Sequence, residues 1–510
     1  MESVTSLARE LESLRQLVAR KDQAILQLQE QVDYLTSRLF GRRSERIDPN
    51  QLLLFEEEPE APSRAEKEEP EYEEIASHKR RRKGHGRQPF PAHLPRHEIH
   101  CDLDDAEKQC TICQSELKHI GDDVVERGHL VPSQWIVNRY TKAKYACPKG
   151  HEVKTAQAPS AVMDRCKYEP SVYAAVAVSK FEDHQPLERQ ESIFKRHGFR
   201  LPASMMGDMI QRVAECVVEP IFKQMKKELI AEKLIQADET PITLLQPGRK
   251  GSRTGQVFVY RSGRKILFEF REDRRGDGPR IFLEAFKGVL QSDGASIYNS
   301  IVARNNLIRA GCWSHARRKF VEASDRDREH VVPVLRAIQR LFRIESVLKK
   351  RRDRLGLSDE AFYELRGKVR QRRSTVVIEA IKAVLLELEL SGKILPQART
   401  GKALTYAINQ WPTLVAFLEH PELEIDNNAA ERAIRPVALG RKNYMFFGSR
   451  KGGRAAAQLY SLTATCRELG VNTQAYLEDV ITKVSTTPQT EAWRLTPWAW
   501  AEAREKSAGN

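Results

Sequence analysis

The sequence predicts a multidomain α+β protein, and three features of the chain lead to that fold class. Residues 1–45 carry an apolar heptad repeat, residues 96–165 carry paired cysteines, and residues 233–455 alternate short apolar strands with helices. At 510 residues the chain is also too long for one ordinary domain. We therefore expect several folded units, which are taken below in chain order.

The overall charge of the chain is basic. Lysine and arginine number 84 against 70 acidic residues, which gives a formal net charge of +14 and a pI of about 9.3. That excess favours a polyanionic partner, nucleic acid first, over the alternative of a merely soluble basic protein. No apolar run reaches the roughly 18 residues of a membrane span, and no signal-peptide pattern opens the chain. Eight cysteines in so long a chain do not indicate a disulfide scaffold, so we expect a reducing, cytoplasmic setting.

The first segment, residues 1–45, places apolar side chains at alternating spacings of four and three. The seam positions are Leu7, Leu11, Leu14, Val18, Lys21, Ile25, Leu28, Val32, Leu35 and Leu39. A repeat of that length, uninterrupted by Pro or Gly, is typical of a leucine-zipper coiled coil and predicts a homo-oligomer. The alternative is a helix that packs on its own core. Lys21 within the seam costs stability and can set the register.

A linker over residues 46–95 has two parts of opposite charge. Ten glutamates and three prolines between residues 56 and 74 leave too little apolar surface for a core, which predicts disorder. A basic run follows, in which Arg82 and Arg87 flank glycines. This pattern indicates a flexible arm that enters a DNA minor groove, with a solvated charge run as the alternative.

Paired metal-ligating residues mark residues 96–165 as a small zinc module. The predicted ligands are Cys110, Cys113, Cys147 and His151. Thiolates and an imidazole on two turns can complete a tetrahedral Zn²⁺ shell, and a predicted strand over 136–145 leads into the second turn. Cys101 and Cys166 lie nearby, so the fourth ligand stays open. Small buried cysteines with a chance CxxC are the alternative.

Residues 166–232 are predicted to be helical and to bind DNA. Two short helices between residues 187 and 214 flank a turn at Gly198–Pro202, which resembles a helix-turn-helix whose second helix lies in the major groove. Helix pairs occur in many folds, so packing alone is the competing interpretation.

Two short apolar strands that end in aspartates open the region 233–455. The predicted order is a strand over 234–240, a hairpin over 257–270, a helix over 277–286, and strands over 289–294 and 308–313. This order is that of an RNase H-like α/β core, in which the two acidic strands lie side by side. We therefore expect Asp238 and Asp293 to be neighbours.

A third acid is expected from a later helix that Asp426 or Asn427 caps. Its predicted polar face consists of Asn428, Glu431, Arg432 and Arg435. Such a stripe is costly without a ligand, so we expect Glu431 to share metal with the aspartates and an arginine to bind phosphate. Three carboxylates suit two Mg²⁺ or Mn²⁺ ions, which activate a water or a 3′-hydroxyl. The alternative is that each acid only forms a turn.

Further basic residues surround this core. His315, Arg317 and Arg318 follow the last predicted strand and are expected to contact DNA phosphates. Two apolar stripes predict a helical insertion over about 322–400, with a basic run between them that forms either a solvated face or a phosphate-tracking surface. Residues 456–510 are expected to form a helical tail. Cys216, Cys312 and Cys466 are predicted to be small core residues.

Three sequence blocks carry a resemblance to a known family. ADET at 237–240, SDG at 292–294 and NNAAERAIRP at 427–436 resemble the IS66 family of bacterial insertion-sequence transposases. GCWSHARRKF at 311–320, NYMFFGSRKGG at 443–453, the zipper and the cysteine module extend the resemblance over nearly the whole chain. It implies a DDE transposase with catalytic Asp238, Asp293 and Glu431 that binds double-stranded DNA at element ends and target.

The resemblance also has one departure and leaves alternatives. Family members often carry a second CxxC where Gly150 stands here, and His151 beside it can substitute. A non-catalytic zinc-containing DNA-binding regulator with a relic core is one alternative, and a nuclease that cuts without joining is another. Accessory proteins of the same element are possible partners, and the expected location is the bacterial nucleoid.

Overall fold

The structure is a computed structural model, and it describes a defined part of the chain. The described residues are 21, 134–146, 153–156, 167–245, 251–274 and 277–508. Residues 138–510 belong to one compact unit, whose described part forms the fold below. The predicted coiled coil, the arm with Arg82 and Arg87, and the zinc ligands Cys110, Cys113, Cys147 and His151 lie outside the described residues.

A small two-stranded sheet precedes the helical region. Strand β1, Lys144–Ala146, pairs antiparallel with β2, Val153–Thr155. The strand predicted over 136–145 is therefore wrong for most of its length, because residues 134–143 have no regular structure. Ile136 and Val137 are 80% and 90% exposed, so these apolar side chains gain no burial that would hold an extended strand in place.

Four helices form the region before the large sheet. They are α1, Pro170–Phe181; α2, Leu187–Arg196; α3, Ala203–Val213; and α4, Glu219–Ile230, with a π-helical turn at Ala214–Val218 joining the last two. The predicted helix pair about Gly198 is confirmed, and Gly198 adopts a φ of +87° in the turn. The apolar face of α3 is formed by Met206, Met209, Ile210 and Val213, whereas Met205 is exposed.

A mixed sheet forms the centre of the fold. Its strands are β3, Leu234–Leu245; β4, Ser252–Ser262; β5, Lys265–Arg271; β6, Val289–Gln291; β7, Ile308–Ala310; and β8, Phe446–Phe447. The strand order is β5-β4-β3-β6-β7, with β8 pairing with the far end of β3. Strands β3, β4 and β5 are antiparallel, whereas β6 and β7 run parallel to β3. The predicted hairpin and both later strands are present, although the hairpin begins at Ser252 and not at residue 257, and β6 and β7 end at Gln291 and Ala310 and not at residues 294 and 313.

Two further boundaries differ from prediction, one in β3 and one in the helix that follows the hairpin. Strand β3 does not end at Thr240 but continues to Leu245, because β4 pairs with it as far as the Leu245–Ser252 pair. The acids of this strand therefore lie within it and not at its end. Helix α5, Asp277–Phe282, stops before the predicted Phe286.

Helices account for most of the remaining described chain. They are α6, Asn299–Asn305; α7, Trp313–Ser324; α8, Arg328–Leu355; α9, Asp359–Val369; α10, Thr375–Leu390; α11, Arg399–Asn409; α12, Trp411–Val415; α13, Asn428–Tyr444; α14, Arg450–Leu469; α15, Thr473–Lys483; and α16, Pro497–Ala508. Both apolar stripes predicted for the insertion face a shared core, which includes Val331, Ile338, Ile381 and Leu385. None of the described helices is both long and apolar enough to cross a lipid bilayer.

Helix α14 packs across strand β5, which lies at one end of the strand order. Ser461 accepts a hydrogen bond from the Phe268 backbone at 2.8 Å, and Thr465 bonds both backbone groups of Ile266. Unpaired backbone groups at a sheet edge invite other chains to pair there. The hydroxyl side chains of α14 therefore satisfy this edge from within the same chain.

Two arginines of the basic run in the insertion are fully buried. Arg366 and Arg370 are 1% and 0% exposed, and both donate to the carboxylate of Glu345, which is 4% exposed. Arg370 also donates to the backbone carbonyls of Phe417, His420 and Leu423. For these two residues both predicted roles, solvated face and phosphate surface, are wrong. They instead tie the insertion to the segment that leads toward Glu431.

We expect Glu345→Ala to lower the free energy of unfolding by about 3–5 kcal/mol, because it leaves two buried guanidinium groups without their shared counter-ion. Urea denaturation followed by circular dichroism measures this change. Glu364→Ala is the matched control, since Glu364 forms an exposed pair with Lys368 within α9. Its loss changes stability by less than about 1 kcal/mol. Equal effects of the two substitutions would contradict a structural role for the buried pair.

Candidate active site

The parallel pairing of β3 and β6 brings two aspartates to the same level of the sheet. The register aligns Gln236 with Gln291, and each chain reaches an aspartate two residues later, Asp238 and Asp293. Both glutamines are buried, and Gln236 Nε2 donates to Gln291 Oε1 at 2.8 Å. A buried amide pair of this kind resists sliding of one strand along the other, because a shifted register leaves both amides unpaired.

Backbone contacts orient both carboxylates. Asp238 Oδ1 accepts a hydrogen bond from the Glu239 amide at 2.9 Å, and Asp293 Oδ1 accepts one from the Ala295 amide at 2.9 Å. Arg309 donates to the carbonyls of Asp293 and Ala295 at 3.0 and 2.7 Å. The loop after β6 is therefore held in one conformation from the neighbouring strand β7.

Glu431 reaches the same region because its helix is anchored directly to β3. Helix α13 starts after Asn427, which is fully buried and donates from Nδ2 to the Ala237 carbonyl at 2.8 Å. That carbonyl belongs to the residue before Asp238. Glu431 lies in the first turn of α13, where the helix dipole favours a carboxylate. Asn427 occupies the cap position, but its side chain makes no capping hydrogen bond; of the two predicted caps, it is Asp426 that accepts from an amide of the first turn, that of Asn428, at 3.1 Å.

The pKa of Asp238 depends on the other acids of this region. The pKa of the Asp238 carboxyl is raised from 3.8 to about 7, chiefly by burial and, to a smaller extent, by the negative charges of Glu239, Asp293 and Glu431 in that order. The hydrogen bond from the Glu239 amide opposes this shift. A carboxyl whose pKa is raised by burial and by neighbouring acids is typical of functional sites.

The donor set of these acids fits a hard divalent cation. All three side chains offer oxygen ligands, and Glu431 Oε1 is a buried atom without a hydrogen-bond partner among the described residues. Asp293 and Glu431 both lie within electrostatic reach of Asp238, but the three acids are not the tightest set of metal-ligating groups. In the described part of the chain, the group of three whose ligand atoms all lie within 4.8 Å of one another is Cys312, His315 and Glu431.

Two of the residues predicted to contact phosphate lie next to Glu431. His315 Nδ1 lies 3.5 Å from Glu431 Oε1, and Arg318 Nη2 lies 3.5 Å from Oε2. Arg318 is 58% exposed, so one end of this contact faces solvent. Arg317 is half-buried, and burial lowers the pKa of its guanidinium. These residues place positive and ionisable groups directly beside the predicted catalytic glutamate.

The polar face predicted for α13 divides into two parts. Asn428 bonds the Asp426 carboxylate through Nδ2 at 3.0 Å, so this side chain serves the start of the helix. Arg432 and Arg435 are exposed. The two arginines are therefore placed on an accessible surface beside Glu431, whereas Asn428 is engaged within the protein.

Several residues of this region were not predicted from the sequence. Cys312 is buried as predicted, but it also contacts the start of α13, since the Asn427 amide donates to its sulfur at 3.2 Å. Burial raises the pKa of the Cys312 thiol to about 12. Glu239 accepts from Tyr298 and Arg274 at 2.9 Å each.

The three-residue spacing of Cys312 and His315 at the start of a helix was the sequence signal from which their position beside the acids could have been predicted. The core prediction for Cys216 is wrong, because this cysteine is exposed.

Comparison with known protein families gives matches along most of the chain. A family model described as Transposase IS66 family matches residues 165–455, which include all three acids. Models described as Transposase C of IS166 homeodomain, zinc-finger binding domain of transposase IS66 and IS66 C-terminal element match residues 27–99, 107–149 and 461–498. The zinc-finger match includes Cys110, Cys113 and Cys147 and ends before His151.

Similar full-length proteins come from Sinorhizobium fredii (strain NBRC 101917 / NGR234). Uncharacterized protein y4jD is 30% identical over 512 residues, covering 96% of this chain and 97% of that protein. Uncharacterized protein y4qI is 30% identical over 97% of this chain and 93% of that protein, and uncharacterized protein y4hP is 29% identical over 82% and 77%. The similarity therefore extends over nearly the whole length of two of these proteins.

The raised pKa of Asp238 makes stability depend on pH in a defined direction. The folded protein binds this proton more tightly than the unfolded chain does. Low pH, where the proton is available, therefore favours the folded state. The contribution of Asp238 is fully present below its unfolded value of 3.8 and is lost as pH rises through about 7. In Asp238→Asn this dependence is absent. The variant should therefore gain stability relative to wild type between pH 4 and pH 8, by about 4 kcal/mol at most at about 1.4 kcal/mol per pKa unit.

Urea denaturation at a series of pH values, without added divalent cation, measures this difference. Parallel pH profiles of the wild type and Asp238→Asn would show that Asp238 titrates near its ordinary value.

Proposed function

This chain belongs to the IS66 transposase family, and from that premise we propose that it is an enzyme that cuts DNA at the ends of an insertion element and joins those ends to target DNA. The observation that carries this proposal is the convergence of Asp238, Asp293 and Glu431 from three separate elements, since the charges of Asp293 and Glu431 contribute to the raised pKa of buried Asp238. Bringing carboxylates together costs electrostatic free energy, because their negative charges repel one another. A cation that binds all three offsets this repulsion, so the cluster indicates a shared ligand.

We assign the sheet to the RNase H-like class. The support is the strand order, with β3 at the centre, an antiparallel hairpin on one side and parallel strands β6 and β7 on the other. A carboxylate on the central strand, a second beside it after β6 and a third on a later helix fit the arrangement that a DDE site requires.

We assign Asp238, Asp293 and Glu431 as the ligands of Mg²⁺ or Mn²⁺. When bound, these ions activate a water or a 3′-hydroxyl and stabilise the leaving oxygen of a phosphodiester. Asp238 must give up its proton to act as a ligand, which the ions favour by offsetting the three negative charges. Arg432 and Arg435 then remain on the exposed face of α13, where they can bind backbone phosphates.

We assign the N-terminal half to recognition of double-stranded DNA. The basic arm with Arg82 and Arg87 and the zinc module with Cys110, Cys113, Cys147 and His151 supply the binding surface, with Zn²⁺ as a structural ion. The apolar seam in residues 1–45 supplies a homo-oligomer, which suits a reaction on two element ends. The site of action is then the nucleoid, with accessory proteins of the same element as further partners.

The first test removes each carboxylate in turn. We expect Asp238→Asn, Asp293→Asn and Glu431→Gln each to lower Mg²⁺-dependent cleavage and joining on the order of 10²-fold or more, the scale of loss for single catalytic groups. Binding of DNA that carries the element ends should persist, because these side chains do not form the recognition surface. Glu364→Gln is the control, since this exposed acid on α9 lies outside the site.

The outcomes of this test separate the candidate functions. Binding of element ends with no cleavage by wild type under any metal condition supports a non-catalytic regulator. Cleavage without joining supports a nuclease of the same fold. Full joining by any one of the three variants removes that carboxylate from the site.

A second test concerns the arginines of α13. We expect Arg432→Ala/Arg435→Ala to weaken DNA binding for all sequences alike and to reduce the slope of log affinity against log salt by about 2, because each phosphate contact contributes about 0.9. Fluorescence anisotropy with labelled duplex at several salt concentrations measures the slope. The control Arg494→Ala, on the exposed tail, should leave the slope unchanged. An unchanged slope in the double variant would place these arginines off the DNA.

A further inference from the structure

A sulfur, an imidazole and a carboxylate meet at the point where helices α7 and α13 begin. Cys312 occupies the cap position of α7, His315 lies one turn later, and Glu431 lies in the first turn of α13. Their ligand atoms all lie within 4.8 Å of one another. The three groups come from two elements that are far apart in sequence, so their meeting results from the tertiary fold.

Two atoms of this group are buried without a hydrogen-bond partner. They are His315 Nδ1 and Glu431 Oε1, which lie 3.5 Å apart and find no other partner in the part of the chain that the structure describes. Buried polar atoms in native proteins are nearly always satisfied, so each exception calls for a missing partner. Because the two atoms lie 3.5 Å apart, a single bound species can satisfy both.

A hydrogen bond reaches the sulfur and would stabilise a metal-bound thiolate, whereas burial alone favours the protonated thiol, which a bound cation would have to displace. The Asn427 amide donates to Cys312 Sγ at 3.2 Å, and the thiol is fully buried at the end of a helix. Hydrogen bonds from outside the ligand set orient metal ligands and tune their charge. Asn427 is itself fixed by its bond to the Ala237 carbonyl, so the donor is held rigidly.

We propose that Cys312, His315 and Glu431 form a second metal site that binds a borderline cation such as Zn²⁺. A mixed sulfur, nitrogen and oxygen set selects Zn²⁺ over Mg²⁺, whose ligands are oxygens. Tetrahedral Zn²⁺ with bonds of about 2.0–2.3 Å separates its ligand atoms by about 3.3–3.7 Å. The distance of 3.5 Å between His315 Nδ1 and Glu431 Oε1 matches that separation. Three protein ligands leave one position open for water or another ligand.

This site shares Glu431 with the carboxylates assigned above to Mg²⁺. The Glu431 carboxylate cannot act as a full ligand in both metal sites at once. Zn²⁺ bound at this site should therefore inhibit Mg²⁺-dependent cleavage. That consequence rests on the proposed function, whereas cation binding itself does not. The two sites thus give the chain a means by which a competing cation withdraws a catalytic ligand.

Cobalt absorption tests the binding directly, because a Co²⁺–thiolate bond produces a charge-transfer band that oxygen and nitrogen ligands do not. The full chain is used without DNA, in a Cys110→Ser/Cys113→Ser/Cys147→Ser background that removes the thiolates of the predicted zinc module. We expect this protein to bind one equivalent of Co²⁺ with a charge-transfer band, and Zn²⁺ to displace it. Adding Cys312→Ser should abolish the band. Adding Cys216→Ser, the exposed cysteine, should leave it unchanged.

Two further variants keep the test decisive if the buried Cys312→Ser protein does not fold, which circular dichroism reveals. His315→Ala and Glu431→Gln alter partly exposed side chains, and each should weaken Co²⁺ binding by about 10-fold or more, as loss of groups at a metal site does. Absence of the band in the background protein, or unchanged affinity in both variants, would overturn the proposal. The Co²⁺-binding measurement contains no DNA, so it does not depend on whether the protein transposes DNA. Conversely, a failure to bind Co²⁺ would not affect the transposase assignment.

Discussion

The position of Glu431 depends on a continuous set of buried hydrogen bonds between side-chain amides and the segment before α13. Gln291 donates to the Glu424 carbonyl at 2.8 Å, Gln236 donates to the Asp426 carbonyl at 3.4 Å, and Asn427 donates to Ala237. These bonds attach a segment that is remote in sequence directly to β3 and β6. Without them nothing in the local sequence of α13 would place its first turn beside Asp238, because helix propensity sets conformation and not location.

The helical insertion contributes to the same constraint from its other side. Arg366 and Arg370 neutralise Glu345 inside the insertion, and Arg370 donates to carbonyls at the start of the segment that Gln236 and Gln291 hold at its end. Buried charges add little stability over apolar residues of the same volume, but they specify one arrangement, because any other leaves a charge unpaired. We interpret the insertion as a support that fixes the course of the chain from Phe417 to Asn427.

The sequence predicts the strands and acids of the core well because apolar runs and acidic blocks are local signals. These local signals do not identify which strand pairs with which. For that reason they could not predict that β3 extends to Leu245, or that most of the strand predicted over 136–145 does not form. From the sequence, Arg366 and Arg370 could not be distinguished from their exposed basic neighbours. Burial of a charge depends on a counter-ion, and theirs, Glu345, lies on another helix. The zipper and the zinc ligands lie outside the described residues and stay predictions.

The anchoring of α13 also limits how its acid can move. The backbone around Asn427 is held by hydrogen bonds, so exchange of the Glu431 carboxylate between the two proposed metal sites would occur by rotation of its side chain alone. Such rotations are fast and reversible compared with movements of whole helices. The choice between the two sets of neighbours is then decided by which charges or ions lie on either side, and not by a rearrangement of the fold. A rigid frame with one mobile carboxylate can therefore respond to its ionic surroundings while the two aspartates stay in register.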